Sequence, residues 1–144
     1  MTGLISQAVQ FLHERDPREE IWDEVGEFVD FARIGGADVL IAVYKPGLDR
    51  KTRGGIIIAD RTADEYDFQG VAGLVLQLGP YAYQSEKTKR WFVDKDGEPQ
   101  PPQVNDWVMF DIRSSIAFKL GKRTCRFVND QHIMTPIPSP DAVA

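Results

Sequence analysis

The sequence predicts a mainly β protein, an irregular small β-barrel with an N-terminal α-helical extension. Three observations predict it. Apolar residues recur at helical spacing only before Gly35-Gly36. Beyond that pair the chain changes to short runs rich in Val, Ile, Leu and Phe, and Gly, Pro, Asn or Asp separates those runs. Short strands joined by tight turns suit a small barrel.

Composition sets the outer limits. A chain of 144 residues with 42% hydrophobic residues supports one domain with a buried core, and 27% charged and 10% aromatic residues exclude a chain disordered throughout. A net charge of −5 leaves no overall basic field for nonspecific nucleic-acid binding. The single Cys125 allows no intrachain disulfide and no four-thiolate zinc site within one chain, which fits a reducing cytoplasm. No apolar run approaches the roughly 18 residues of a membrane span, and the N-terminus lacks secretory and transit patterns, so a soluble, cytoplasmic protein without metal or cofactor is expected.

Leu4, Ile5, Ala8, Val9 and Leu12 form a short helical stripe that stops near Asp16-Pro17, where Asp can cap and Pro can enter a first helical turn. From Arg18, the residues Ile21, Trp22, Val25, Phe28, Val29 and Ala32 mark one face of an amphipathic helix with Glu and Asp opposite. Gly26 weakens it by about 1 kcal/mol relative to alanine, and Phe28 to Ile34 also fits an extended strand. Strands are expected at Val39 to Tyr44, Ile56 to Ala59, Gly73 to Leu78, Trp107 to Ile112, Ile116 to Leu120, Thr124 to Val128 and Ile133 to Ile137. Tyr81 to Gln103 interrupts them as an excursion, with a turn at Asp94-Lys95-Asp96-Gly97 and prolines at 99, 101 and 102. The tail after Ile137, Pro-Ser-Pro-Asp-Ala-Val-Ala, is too short and polar to pack unless another subunit receives it.

Catalytic chemistry finds little support. His13 lies near a helix end and His132 on a different element, neither with an evident partner. Cys125 alternates with Thr124 and Arg126 so as to share the apolar face with Phe127, which makes it core filler; no base is at hand to make it a nucleophile. Lys87-Thr88-Lys89-Arg90-Trp91-Phe92 sets cations beside rings, as a single-strand nucleic-acid surface requires, but lysines deterring edge pairing on a solvated hairpin explain it as well. Asp60, Asp64, Glu65 and Asp67 match no calcium-loop spacing and suit a solvated loop.

The most informative stretch runs from Lys45 to Asp60. Polar, glycine-rich residues surround the bare triplet Ile56-Ile57-Ile58, which is either a short buried strand or an apolar plug displayed by a flexible loop. Spacing alone does not separate the two.

Several landmarks now fall in order. Val39-Leu40-Ile41-Ala42-Val43 is followed by Gly54-Gly55-Ile56-Ile57-Ile58, then Gly73-Leu74-Val75-Leu76-Gln77-Leu78-Gly79. After these come Val104-Asn105-Asp106-Trp107-Val108-Met109-Phe110 and finally Val128 to Ile137. In this order and spacing the chain resembles the GroES-like co-chaperonin family over residues 35 to 137. The resemblance implies a non-enzymatic subunit of a ring that caps a GroEL-like chaperonin and assists protein folding. Gly54, Gly55, Ile56, Ile57 and Ile58 would dock in an apolar groove of the chaperonin from a mobile loop over 45–60. The excursion over 81–103 would form the dome roof. Ile133, Met134 and Ile137 of the closing strand, with Val39 and Ile41 of the first long strand, would meet a neighbouring subunit.

Residues 1 to 34, the long roof carrying Trp91 and Phe92, and the acidic Asp60 to Asp67 stretch depart from bacterial members of that family. Such extensions resemble those of a divergent, phage-encoded relative, whose helical arm would use Ile21, Trp22, Val25, Phe28 and Val29 to contact a neighbour, the dome or another protein. The alternative is a virion structural or decoration protein that keeps the barrel and binds capsid or tail proteins through its arm and loop. An alcohol-dehydrogenase-like barrel fails for want of a nucleotide-binding half and zinc ligands.

Overall fold

The computed structural model describes residues 15–44 and 72–143. The stripe from Leu4 to Leu12 and the expected strand at Ile56 to Ala59 lie outside the described residues. Within them the chain forms one α-helix, α1 (Pro17–Val29), and six strands: β1 (Asp38–Val43), β2 (Ala72–Leu78), β3 (Trp107–Phe110), β4 (Ser115–Leu120), β5 (Arg123–Asn129) and β6 (Ile133–Ile137).

α1 starts where the sequence places it. The Asp16 carboxylate accepts from the Arg18 amide at 2.9 Å, Pro17 occupies a position whose N–H has no helical partner, and Glu19 and Glu20 face the positive end of the helix dipole. The extended alternative for Phe28 to Ile34 does not form. The Asp30 amide still reaches the Gly26 carbonyl at 3.1 Å, and the Phe31 and Ala32 amides close tight turns onto Phe28 and Val29 at 3.2 and 3.0 Å. The helix buries Ile21, Val25 and Val29 against Leu40, Ala42, Leu74, Leu76 and Cys125. Ile21, Val25 and Val29, three of the five residues expected to reach out to a partner, are therefore spent on the chain's own sheet. Fully burying such aliphatic side chains contributes about 1.5–3 kcal/mol each.

All six strands belong to one antiparallel sheet in the order β4-β5-β1-β2-β3-β6. Among the described residues the sheet is open, with β4 and β6 at its edges, rather than closed as the sequence predicts. β1 is central and paired on both sides. That explains its unbroken run Val39-Leu40-Ile41-Ala42-Val43, since a strand covered on both faces has no polar face to alternate. Leu40 and Ala42 face the helix. Val39, Ile41 and Val43 point the other way, into a second cluster with Val75, Val108, Phe110, Val128 and Ile133.

Two bulges bend the sheet. The β1–β2 register passes from Leu40 opposite Gln77 to Ile41 opposite Val75, leaving Leu76 unopposed, and the β3–β6 register leaves Met134 unopposed in the same way. β3 stops at Phe110 rather than Ile112, because the Asp111 carboxylate accepts from the Arg113 amide at 3.0 Å and starts a short 3-10 turn over Ile112–Ser114.

The turn into β1 and the exit from β2 pack backbone to backbone. Gly36 takes a left-handed φ of 60°. A Cβ at Gly79 would collide with the Gly36 carbonyl oxygen and lie 2.9 Å from those of Gly35 and Asp38, so only glycine fits. The tail also folds onto this chain, contrary to expectation: Ser139 and Pro140 are buried, and Pro140–Val143 forms a 3-10 turn against β2.

Candidate functional site

The residues expected to bind a chaperonin, Gly54, Gly55, Ile56, Ile57 and Ile58, lie outside the described residues, as do His13 and the acidic stretch from Asp60 to Asp67. What is described is the pair of roots from which residues 45–71 depart. Tyr44 follows β1, Ala72 begins β2, and the Tyr44 amide donates to the Ala72 carbonyl at 3.0 Å. The Tyr44 side chain is fully buried, its ring edge-on to Trp107 at 5.7 Å and its hydroxyl donating to Asp141 Oδ1 at 2.6 Å. The Arg18 guanidinium lies over the Trp107 ring at 5.9 Å, so the start of α1 meets the same cluster.

The five residues expected at a subunit boundary divide. Val39, Ile41 and Ile133 are core, and β1 has no free edge to offer a neighbour, which removes Val39 and Ile41 as accessible contacts. The unbroken apolar run of β1 was the signal for this central position. Ile137 is half-buried on the helix side of β6, while Met134, pushed out by its bulge, is 58% exposed. Of the arm residues, Ile21, Val25 and Val29 are buried in the core. Trp22 is half-buried and donates its indole N–H to Asn105 Oδ1 at 2.8 Å, while Phe28 is 46% exposed.

The excursion from Tyr81 to Gln103 consists of successive turns with a single bridge between Val93 and Pro99, rather than a regular hairpin. Its tip is the expected turn: Asp94 Oδ1 accepts from the Asp96 and Glu98 amides at 2.8 and 3.0 Å, and Gly97 has a φ of 79°. Its base is clamped by Asp130, a carboxylate only 2% exposed that accepts from the Tyr83 amide at 2.8 Å; the Tyr83 hydroxyl returns to the Asp130 carbonyl at 3.2 Å. Burial, and secondarily the nearby Asp130, push the Tyr83 phenol above the ordinary tyrosine range. Phe92 turns inward, edge-on to Tyr83 at 5.9 Å. Of the two rings beside Lys87, Lys89 and Arg90, Trp91 alone stands out, at 45% exposed. Arg90 donates to the Gly97 carbonyl at 2.8 Å. A stacking surface built on both rings is therefore not assembled here.

Cys125 is fully buried among Leu40, Ala42 and their neighbours, and burial pushes its thiol up to about 11, which suits packing rather than nucleophilic attack. His132 is exposed. Among the described residues no three His, Cys, Asp or Glu side chains group as metal ligands, and no helix is long and apolar enough to cross a membrane.

Sequence reasoning missed Gln77, Asp130 and Asp141, each of which satisfies groups far away in the chain. A polar residue inside an apolar strand was the available signal for Gln77. No comparable signal marks Asp141. The chain matches no protein-family profile and no curated protein.

Proposed function

We propose that this chain is a GroES-like co-chaperonin, a non-enzymatic subunit of an oligomeric ring that caps a chaperonin cage and docks through Gly54, Gly55, Ile56, Ile57 and Ile58. The observation that carries this is the pairing of Tyr44 with Ala72 at 3.0 Å. It ties both roots of the segment bearing the isoleucine triplet to one point on a bent sheet with two apolar faces. A bare apolar triplet preceded by two glycines has a physical purpose there. Burying three isoleucines in a groove yields roughly 1.5–3 kcal/mol each. Ordering some ten loop residues costs about 1–2 kcal/mol per residue, so one loop binds weakly and several loops on one ring supply avidity.

In this proposal the six-stranded sheet is the main part of the family's barrel, and its two bulges supply the curvature. The excursion clamped by Asp130 forms the roof. The edge of β6, unpaired among the described residues and with Met134 beside it, faces a neighbouring subunit in place of the buried β1.

The test is Ile57→Glu. A charge at that position would have to enter an apolar groove. The variant should keep the circular dichroism and melting temperature of the parent and lose measurable chaperonin binding; unchanged affinity would remove the proposed role of the loop.

A further inference from the structure

We infer that the C-terminal turn is a strap that fixes the direction in which residues 45–71 leave the sheet, with Asp141 as its positioning residue. The consequence for docking rests on the function proposed above; the strap itself does not.

Tyr44 is the last residue of the β1 root, and nothing of its side chain reaches solvent. Filling that space would need only a phenyl ring. A buried hydroxyl must be hydrogen-bonded as well, and the tail supplies an acceptor: Asp141 Oδ1 accepts from it at 2.6 Å. The tail is itself anchored at this point. Ser139 is 2% exposed, the Asp141 amide donates to Ser139 Oγ at 3.2 Å, and the turn that follows packs on β2, the strand that carries the other root. Trp107 completes the seat, edge-on to the Tyr44 ring at 5.7 Å. One turn of the tail thus engages both strands from which the segment departs.

The physical consequence is an entropy saving. A root free to swivel adds orientations that docking must remove, whereas a root already fixed leaves only the loop itself to order. Polar residues at a chain end, which sequence patterning reads as an unpacked tail, then have a reason to be Ser-Pro-Asp in that order: an anchor, a stiff link and an acceptor.

The test compares Asp141→Ala, Asp141→Asn and Tyr44→Phe in the full chain by amide hydrogen exchange, with affinity for a chaperonin measured in parallel. In Asp141→Ala and Tyr44→Phe the Tyr44 amide, which bonds to Ala72 across the roots, should exchange roughly three- to tenfold faster while amides in the middle of β1 do not change. Asp141→Asn keeps a carbonyl acceptor and should restore parental exchange. Chaperonin affinity should fall in the first two variants and recover in the third. Unchanged Tyr44 exchange in both Asp141→Ala and Tyr44→Phe would overturn the strap. Equal affinity of all variants, with the parent binding, would overturn its role in docking. A parent that binds no chaperonin would count against the proposed function instead, and the exchange result would still decide the strap.

Discussion

Arg123 and Glu24 meet in a two-pronged ion pair, Nε to Oε2 at 2.8 Å and Nη2 to Oε1 at 2.9 Å, which ties the first residue of β5 to the middle of α1. Arg123 also donates to the Val43 carbonyl at 3.3 Å, next to the root of the 45–71 segment. The planar guanidinium fork suits this task, since two parallel bonds fix orientation as well as distance.

Glu24→Ala should destabilise the fold by about 1–2 kcal/mol. That is less than the cost of breaking a wholly buried pair, because the Glu24 side chain is 40% exposed although that of Arg123 is only 9%. The urea midpoint of unfolding measures it. Added salt should narrow the gap between parent and variant only slightly, since the arginine end is shielded.

Gln77→Leu should also destabilise, although it makes β2 more apolar. The Gln77 amide donates to the Ala32 carbonyl at 2.9 Å and accepts from the Ile34 amide at 2.9 Å, holding the chain between α1 and β1 against the sheet. Leucine leaves both backbone groups short of a partner, a loss of roughly 1–3 kcal/mol by urea unfolding. A stabilised variant would show that the linker finds other partners.

Cys125 should resist thiol reagents at pH 8 in the folded protein and react once urea unfolds it. Its thiol, ordinarily at 9.0, is raised to about 11 by burial, so the unfolded chain gives up its proton first as pH rises. The associated stability is complete below pH 9 and is lost as pH climbs through 11, a change on the order of 3 kcal/mol. Cys125→Ala should flatten that limb of the stability curve relative to the parent.

Strand positions were largely legible because period and turn chemistry are local. Asp16-Pro17 starts α1, Asp94 to Gly97 makes the turn, and β1, β2, β4, β5 and β6 lie within a residue or so of their expected places. Neighbours were harder to read. Ile21, Val25 and Val29 form an apolar stripe whether it meets the chain's own sheet or a partner's, and hydrophobic burial has no direction to tell them apart. β1 could have been placed at the centre from its lack of alternation, which a strand with one face at a subunit edge rarely shows. The tail defeated sequence reading for a different reason. Its packing includes a hydrogen bond between Asp141 and Tyr44, and no local pattern encodes a pairing of such separation.

Light-scattering mass of the purified protein, alone and then mixed with the chaperonin of its source and nucleotide, decides whether this chain acts as a co-chaperonin. A multi-subunit ring that co-elutes with the chaperonin only when nucleotide is present, and fails to do so as Ile57→Glu, is the predicted result. A monomer, or an assembly that ignores that chaperonin in every nucleotide state, would contradict it and favour a virion structural protein built on the same sheet.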